Sequence, residues 1–304
     1  MPLQPAHKST STGIIAIERI LPFNNTVIVS IDRMSMFATH NSRFIQLCRR
    51  ICPSQWMALA LLLLYATGQT AFAQANGSAD RQAYIAYADK ILAAAREKHQ
   101  ASPTNSEATW HFASACFERA EFAANDTERA TLAVEGINAM RSLLVREPDS
   151  APAHYYLGMN LGQLARTKTL GALRLVGQME DEFQAARKLD EKFSHAGPDR
   201  NLGQLYFQAP GWPASIGSRS KARKHMERAV ELAPGYPENQ LNLIEAYVKW
   251  RDSKEAKRQL KSLDLFWPDA RTNLVGQAWA PSWADWEKRR QKLLDKLSSG
   301  SDDD

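Results

Sequence analysis

Cysteine is nearly absent from this chain: there are 3 in 304 residues, Cys48, Cys52 and Cys116. Two stand beside an apolar run near the N-terminus, so a small domain stapled by disulfides is excluded. Cys116 falls in an apolar helical pattern, where a free thiol behaves as a small hydrophobe. The usual catalytic signatures are missing too, with no Walker loop, no H-E-x-x-H, no C-x-x-C and no G-x-S-x-G. His99, His111, His154, His195 and His225 are scattered, and His154 reads as a seam residue between helices. His225-Met226-Glu227 resembles part of a deaminase signature but lacks the cysteines that chemistry needs. Glu180-Asp181-Glu182 reads as a solvated helix face. These absences point away from an enzyme and call for no cofactor and no metal.

Charge of one sign is also lacking once the chain is divided. Residues 1–73 hold six basic side chains, Lys8, Arg19, Arg33, Arg43, Arg49 and Arg50, against Glu18 and Asp32. That leaves 32 basic against 31 acidic residues in 74–304, so the overall +5 belongs mostly to the leader. A nucleic-acid partner, which needs a basic folded domain, loses its electrostatic argument. The leader has the pattern of an export signal. Arg43, Arg49 and Arg50 precede the apolar run Met57–Ala66, which is too short for the ~20 residues of a membrane span. Ala71-Phe72-Ala73 is a small-x-small cleavage site. The reading is a signal peptide over 34–73, cleaved after Ala73, and a periplasmic protein of Gram-negative type that does not span the membrane. Residues 1–33 fit no targeting pattern and read as an over-extended gene start.

From 74 to 297 the sequence reads as one helical domain, with turn signals at helix spacing and no convincing period-two alternation. Tyr84, Tyr87, Ala88, Ile91, Leu92 and Ala95 form the stripe of a first helix. Thr104 and Glu107 form a capping box that opens a second, with Trp110, Ala113 and Phe117. A third begins near Asp126 and ends before Pro148. Ser298–Asp304 reads as a disordered acidic tail.

A repeat underlies this order. Leu243, Tyr247, Ala256, Leu260, Leu263 and Pro268 are spaced 4, 9, 4, 3 and 5 apart. The preceding unit has Leu202, Gly203 and Tyr206 on one helix and Ala222, Met226, Ala229 and Pro234 on the next. Pro234 and Pro268 are 34 residues apart. This resembles the tetratricopeptide repeat, with large residues in the seam between helices, small ones where helices approach closely, and a proline closing the second helix. Leu157, Gly158, Met179, Phe183 and Ala186 fit an earlier unit with extra residues. The expected fold is all-α, an irregular tetratricopeptide-type array closed by a C-terminal helix over about 282–297 that caps the stack.

Long insertions in such an array are where function usually sits. One is 166–178, with Arg166, Lys168 and Arg174 among apolar residues and no acid; the alternative is an extended first helix with snorkelling cations. The other is 206–218, where Pro210, Gly211, Pro213 and Gly217 stiffen a loop around Trp212. That Trp is either a plug packed into the array or a binding anchor. If the two insertions meet, Arg166, Lys168, Arg174, Tyr206 and Trp212 would bind an amphipathic anion such as a fatty acid. Asp199 reads as a helix cap.

Leu157-Gly158-Met159-Asn160-Leu161, Gly203-Gln204-Leu205-Tyr206 and the stretch Ala222–Tyr236, preceded by an export signal, resemble the TatT component family. These are tetratricopeptide proteins associated with tripartite TRAP transporters, and the likeness covers roughly 105–270. It implies an all-helical fold, a possible homo-oligomer, association with a periplasmic solute-binding protein and a ligand-accommodating cleft. A generic periplasmic adaptor for envelope assembly is the alternative from the residues themselves.

Overall fold

A computed structural model describes residues 80–168 and 171–299. The export signal, residues 1–33 and the tail beyond 299 lie outside the described residues.

The described chain is helical throughout. A first helix, α1, covers 80–101. Four helical hairpins follow: α2 (Ser106–Glu121) with α3 (Asp126–Arg146), α4 (Ala151–Arg166) with α5 (Ala172–Leu189), α6 (Phe193–Gln208) with α7 (Arg219–Leu232), and α8 (Pro237–Lys249) with α9 (Ser253–Asn273). A short 3-10 turn, Gln277–Trp279, leads into α10 (Ala280–Ser299). The first helices of the hairpins, α2, α4, α6 and α8, touch one another in a row. Each second helix packs on its own partner and on the helix that follows. The turns inside successive hairpins therefore lie along one edge of the array, and the turns between hairpins along the other.

The seam residues explain the spacing. Leu202, Ala222, Met226, Ala229, Leu243, Tyr247 and Ala256 are all buried. Gly203 is required by close approach, because a Cβ there would sit 2.6 Å from Met226 Cγ and 3.1 Å from its backbone nitrogen. Gly158 is pressed against the Phe183 ring in the same way, at 2.6 Å. Cys116 is fully buried, and burial pushes its thiol well above the usual range.

Three local expectations change. The cap of α2 is Asn105, not Thr104: its side chain accepts from Ala108 N at 2.8 Å, and asparagine is the stronger cap. Pro234 lies in a turn just past α7, but Pro268 does not close α9, which continues to Asn273. Pro268 lies on the exposed face, while Trp267 packs edge-on against Trp283 at 5.2 Å and Ala270 is buried. Tertiary packing of that last turn offsets the hydrogen bond the proline removes. The last helix is also longer at both ends than 282–297, and it takes in Ser298 and Ser299.

α10 lies along α8. Trp286, fully buried, donates Nε1–H to Glu238 at 2.6 Å. Arg289 reaches Glu238 at 2.8 Å, Glu245 at 2.8 Å and Asn242 at 2.6 Å, and these carboxylates hold its guanidinium charged despite burial. The capping helix is thus tied to the array by an apolar cluster and a buried charge network.

Candidate functional site

The two sequence insertions have different fates. In the first, α4 ends at Arg166, Gly171 takes a left-handed conformation (φ +84°), and α5 begins at Ala172. Most of the stretch is therefore the start of the second helix, not an extension of the first. Arg166 is committed to the interior: Nη1 donates to Glu121 at 2.9 Å, and the side chains are 14% and 9% exposed. Gln163 donates to the other oxygen of Glu121 at 2.5 Å. Lys168 and Arg174 are exposed.

The second insertion is a true loop. Gly217 N donates to Pro210 O at 2.9 Å, and Ser215 N to Gly211 O at 3.3 Å. Ser218 N donates to Tyr206 O at 3.0 Å, closing the neck. A Cβ on Gly217 would stand 2.1 Å from Ala209 O, which is why glycine is needed there. Ile216 packs down on the core, and Trp212 stands 88% exposed. The plug reading of Trp212 is thereby overturned: the two prolines and the neck bonds hold the ring away from the array. Tyr206 is buried, with its hydroxyl donating to Glu180 at 2.5 Å and accepting from Gln184 at 3.1 Å. Burial, then Glu180, raises that hydroxyl above the usual tyrosine range. Among the five residues expected at a ligand site, Arg166 and Tyr206 have structural partners, while Lys168, Arg174 and Trp212 face solvent at the hairpin turns.

α7 follows the loop and begins against the usual electrostatic preference. Its first turns carry Arg219, Lys221, Arg223 and Lys224 and no acid, at the helix end where the backbone dipole is positive. Their partners come from other elements: Arg223 is 3.5 Å from Asp252, Lys221 is 3.7 Å from Glu180, and each of three cations lies against an aromatic face. Arg219 lies 5.3 Å from the centre of the Trp250 ring, Arg223 lies 5.3 Å from Tyr247, and Lys221 lies 4.8 Å from Tyr206.

Beside these residues a cleft of about 420 Å³ opens between α5 and α7 over the start of α6. Asp199 forms its floor with a side chain 1% exposed. It is not a helix cap: it accepts from Arg187 Nε on both oxygens at 2.9 Å and is 2.7 Å from His225 Nδ1. Arg228 spans the rim, 2.7 Å from Glu191 and 2.9 Å from Glu231. Lys224 and Glu227 are exposed, the latter accepting from Tyr247 Oη at 2.6 Å. Every lining side chain is polar or charged. His225 Nδ1 is turned to Asp199, and the Ser220 hydroxyl lies 3.1 Å from Ser218 Oγ.

Glu180 and Glu182 also leave the solvated-face reading, because each has a partner on a neighbouring helix. Lys221 is 3.7 Å from Glu180, and His154 Nδ1 is 2.6 Å from Glu182, whose hydrogen bond raises the imidazole pKa.

A further polar centre was invisible in the sequence. Ser194, His195 and Ala196 form a left-handed turn with φ of 53°, 54° and 59°. Such backbone costs about 1–2 kcal/mol per residue for non-glycine side chains. Arg200, 2% exposed, holds it in place by donating to Ser194 O at 3.0 Å and His195 O at 2.9 Å, and it reaches Asn239 on α8 at 3.0 Å. His195 stacks flat on Tyr236 at 4.4 Å, and burial and the Arg200 charge lower its pKa to about 4. The link from Arg200 to Asn239 spans 39 residues and carries no short-range signature.

No protein-family model and no curated protein matches the sequence. Among solved structures, the fold is similar to TTC0263, a thermophilic TPR protein in Thermus thermophilus, with a TM-score of 0.51 at 18% identity, covering 77% of this chain and 94% of that one. One structure of MamA gives a TM-score of 0.43 at 18% identity over 61% of this chain and 91% of that one. Another gives 0.41 at 17% identity over 65% and 97%. The hairpin order, the buried seam and the likeness to TTC0263 together make this an all-α helical repeat array of tetratricopeptide type.

Proposed function

We propose that the chain is a non-enzymatic scaffold that binds a partner protein through the outer cleft between α5 and α7. The observation that carries this reading is the lining of that cleft, charged on every side and internally paired. Such a surface is already solvated and geometrically fixed, so it suits a protein face of complementary charge. No aliphatic or aromatic residue lines it to enclose the tail of an amphipathic anion, and its apolar surface comes from the stems of charged side chains. Two of the residues expected to form such a ligand site are engaged elsewhere: Arg166 with Glu121 and Tyr206 with Glu180. Together with the export pattern, the reading becomes a periplasmic adaptor, and the TatT-like motifs nominate a transporter solute-binding protein as its partner.

Native mass spectrometry of the protein recovered from its own cells tests this. A protein partner should be retained, and Lys224→Glu combined with Arg228→Glu should remove it. A solute-binding protein as that partner supports the transporter reading, and another envelope protein supports the general adaptor. Retention of a small organic anion with no protein, unaffected by the double variant, would sink the proposal.

A further inference from the structure

The turn edge of the array has a chemistry that the cleft does not share. Because the turns within the four hairpins stack on one side, the α2–α3 turn places Asp126 and Glu128 there, paired with Arg129 and Arg119, and the other three turns place three pairs of cations. They are Lys168 and Arg174 at the α4–α5 turn, Arg219 and Lys221 at the α6–α7 turn, and Lys249 and Arg251 at the α8–α9 turn. All six are exposed. Contacts between turns fix the grouping: Arg219 lies over Trp250, and Lys249 lies 5.3 Å from the centre of the Phe207 ring. Across the array, the turns between hairpins carry Glu147, Asp149, Asp190 and Glu191 beside Arg146, Lys188 and Lys192. A chain whose residues from 74 onward are almost neutral, 32 basic against 31 acidic, therefore has unbalanced exposed cations at three of the four turns on one edge, whereas acids and cations are mixed on the other.

Two apolar side chains rise from the same edge. Trp212 is 88% exposed at the tip of its stiff loop, and Leu173 is 49% exposed at the start of α5. Their setting is convex, since they sit on turn tips rather than in a groove. The cations are spread over three turns rather than converging on a point. A flat anionic surface into which one indole can dip matches that arrangement: indoles settle at headgroup depth, and long basic side chains meet lipid phosphates around them. An acidic protein partner would need a recess or knob to receive, which a convex row of turns does not supply.

We infer that this edge docks the protein on an anionic phospholipid bilayer, with Trp212 inserted among the headgroups and Leu173 beside it. This surface adjoins the α5–α7 cleft, since Ser220 between Arg219 and Lys221 lines it, and variants tell the two readings apart: Trp212, Lys249 and Arg251 lie outside the cleft and Lys224 lies in it.

Co-sedimentation with vesicles tests it, using the protein as recovered from its cells. Vesicles of phosphatidylglycerol and phosphatidylcholine in equal parts should carry the protein down at low salt, and pure phosphatidylcholine should not. Trp212→Ala should weaken partitioning about tenfold, the scale of burying one large apolar side chain. Lys249→Gln and Arg251→Gln should each weaken it roughly fivefold. Lys192→Gln, on the opposite edge, and Lys224→Gln, in the cleft, should leave it unchanged, and all variants should melt with the parent. Absence of binding to anionic vesicles overturns the proposal. So does binding that is indifferent to Trp212→Ala, or an edge that captures polyglutamate but not vesicles, which would make it a site for an acidic protein.

Discussion

The two insertions began as equals and ended as opposites. The stretch 166–178 was absorbed: Arg166 turned inward to Glu121, Leu175 is buried, and most of the remainder became the first turns of α5. The stretch 206–218 was displayed: its prolines blocked helix, Gly217 allowed the neck to close, and Trp212 was left in solvent. Insertion length therefore says little about function in a repeat array. What decides is whether the extra residues can continue a helix and whether their charges find partners inside.

The comparison can be broken at several points, beginning with the largest effect. Arg166→Ala would leave Glu121 buried with Gln163 as its remaining partner, and should cost about 3 kcal/mol in unfolding free energy measured by urea denaturation. A loss under about 0.5 kcal/mol, the scale of an ordinary surface substitution, would mean that this insertion was not absorbed.

The junction 193–200 is a second absorbed segment, and pH probes it. His195 has a folded pKa of about 4, below its ordinary 6.5, so between these values the unfolded chain binds a proton that the folded one refuses. Stability should therefore fall as pH drops from 6.5 towards 4, by on the order of 2–3 kcal/mol from this group. Replacing His195 with Gln should flatten that part of the profile. His154 works in the opposite sense, because Glu182 raises its pKa. Its contribution is present below its ordinary pKa of 6.5 and fades as pH rises through the folded value, so His154→Gln should flatten the slope above 6.5.

Overpacking the seam comes next. Ala229→Leu and Ala256→Leu should each cost about 1–3 kcal/mol, read as lowered melting temperatures. Variants that melt with the parent would contradict the repeat register. Smallest of all, Trp212→Ala should change stability by less than about 0.5 kcal/mol, since the side chain stands in solvent.

How much of this could be read from the chain alone follows from range. The seam pattern rests on spacings within one hairpin, which is the range a sequence displays, and Leu202, Gly203, Ala222, Met226, Ala229, Leu243, Tyr247 and Ala256 are buried. Pro268 misled because a proline on an exposed helix face is tolerated when Trp267 and Ala270 have partners. The site was far less legible. Arg166 meets Glu121 45 residues away, and Asn239 meets Arg200 39 residues away, so no local pattern announces either. Asp199 looked like a cap because its true partners, Arg187 and His225, lie on two other helices. Net charge misled as well, since a nearly neutral total concealed pairs of exposed cations at three of the hairpin turns.

The central claim is that the array meets the outside with two adjoining surfaces, one for a protein and one for lipid. A photo-crosslinking amino acid placed in living cells at 212, at 224, or at 145 on the exposed α3 face reads this directly. The account predicts lipid adducts from 212, a protein adduct from 224 and neither from 145. The same protein adduct from 212 and 224, or equal labelling from all three positions, would contradict it.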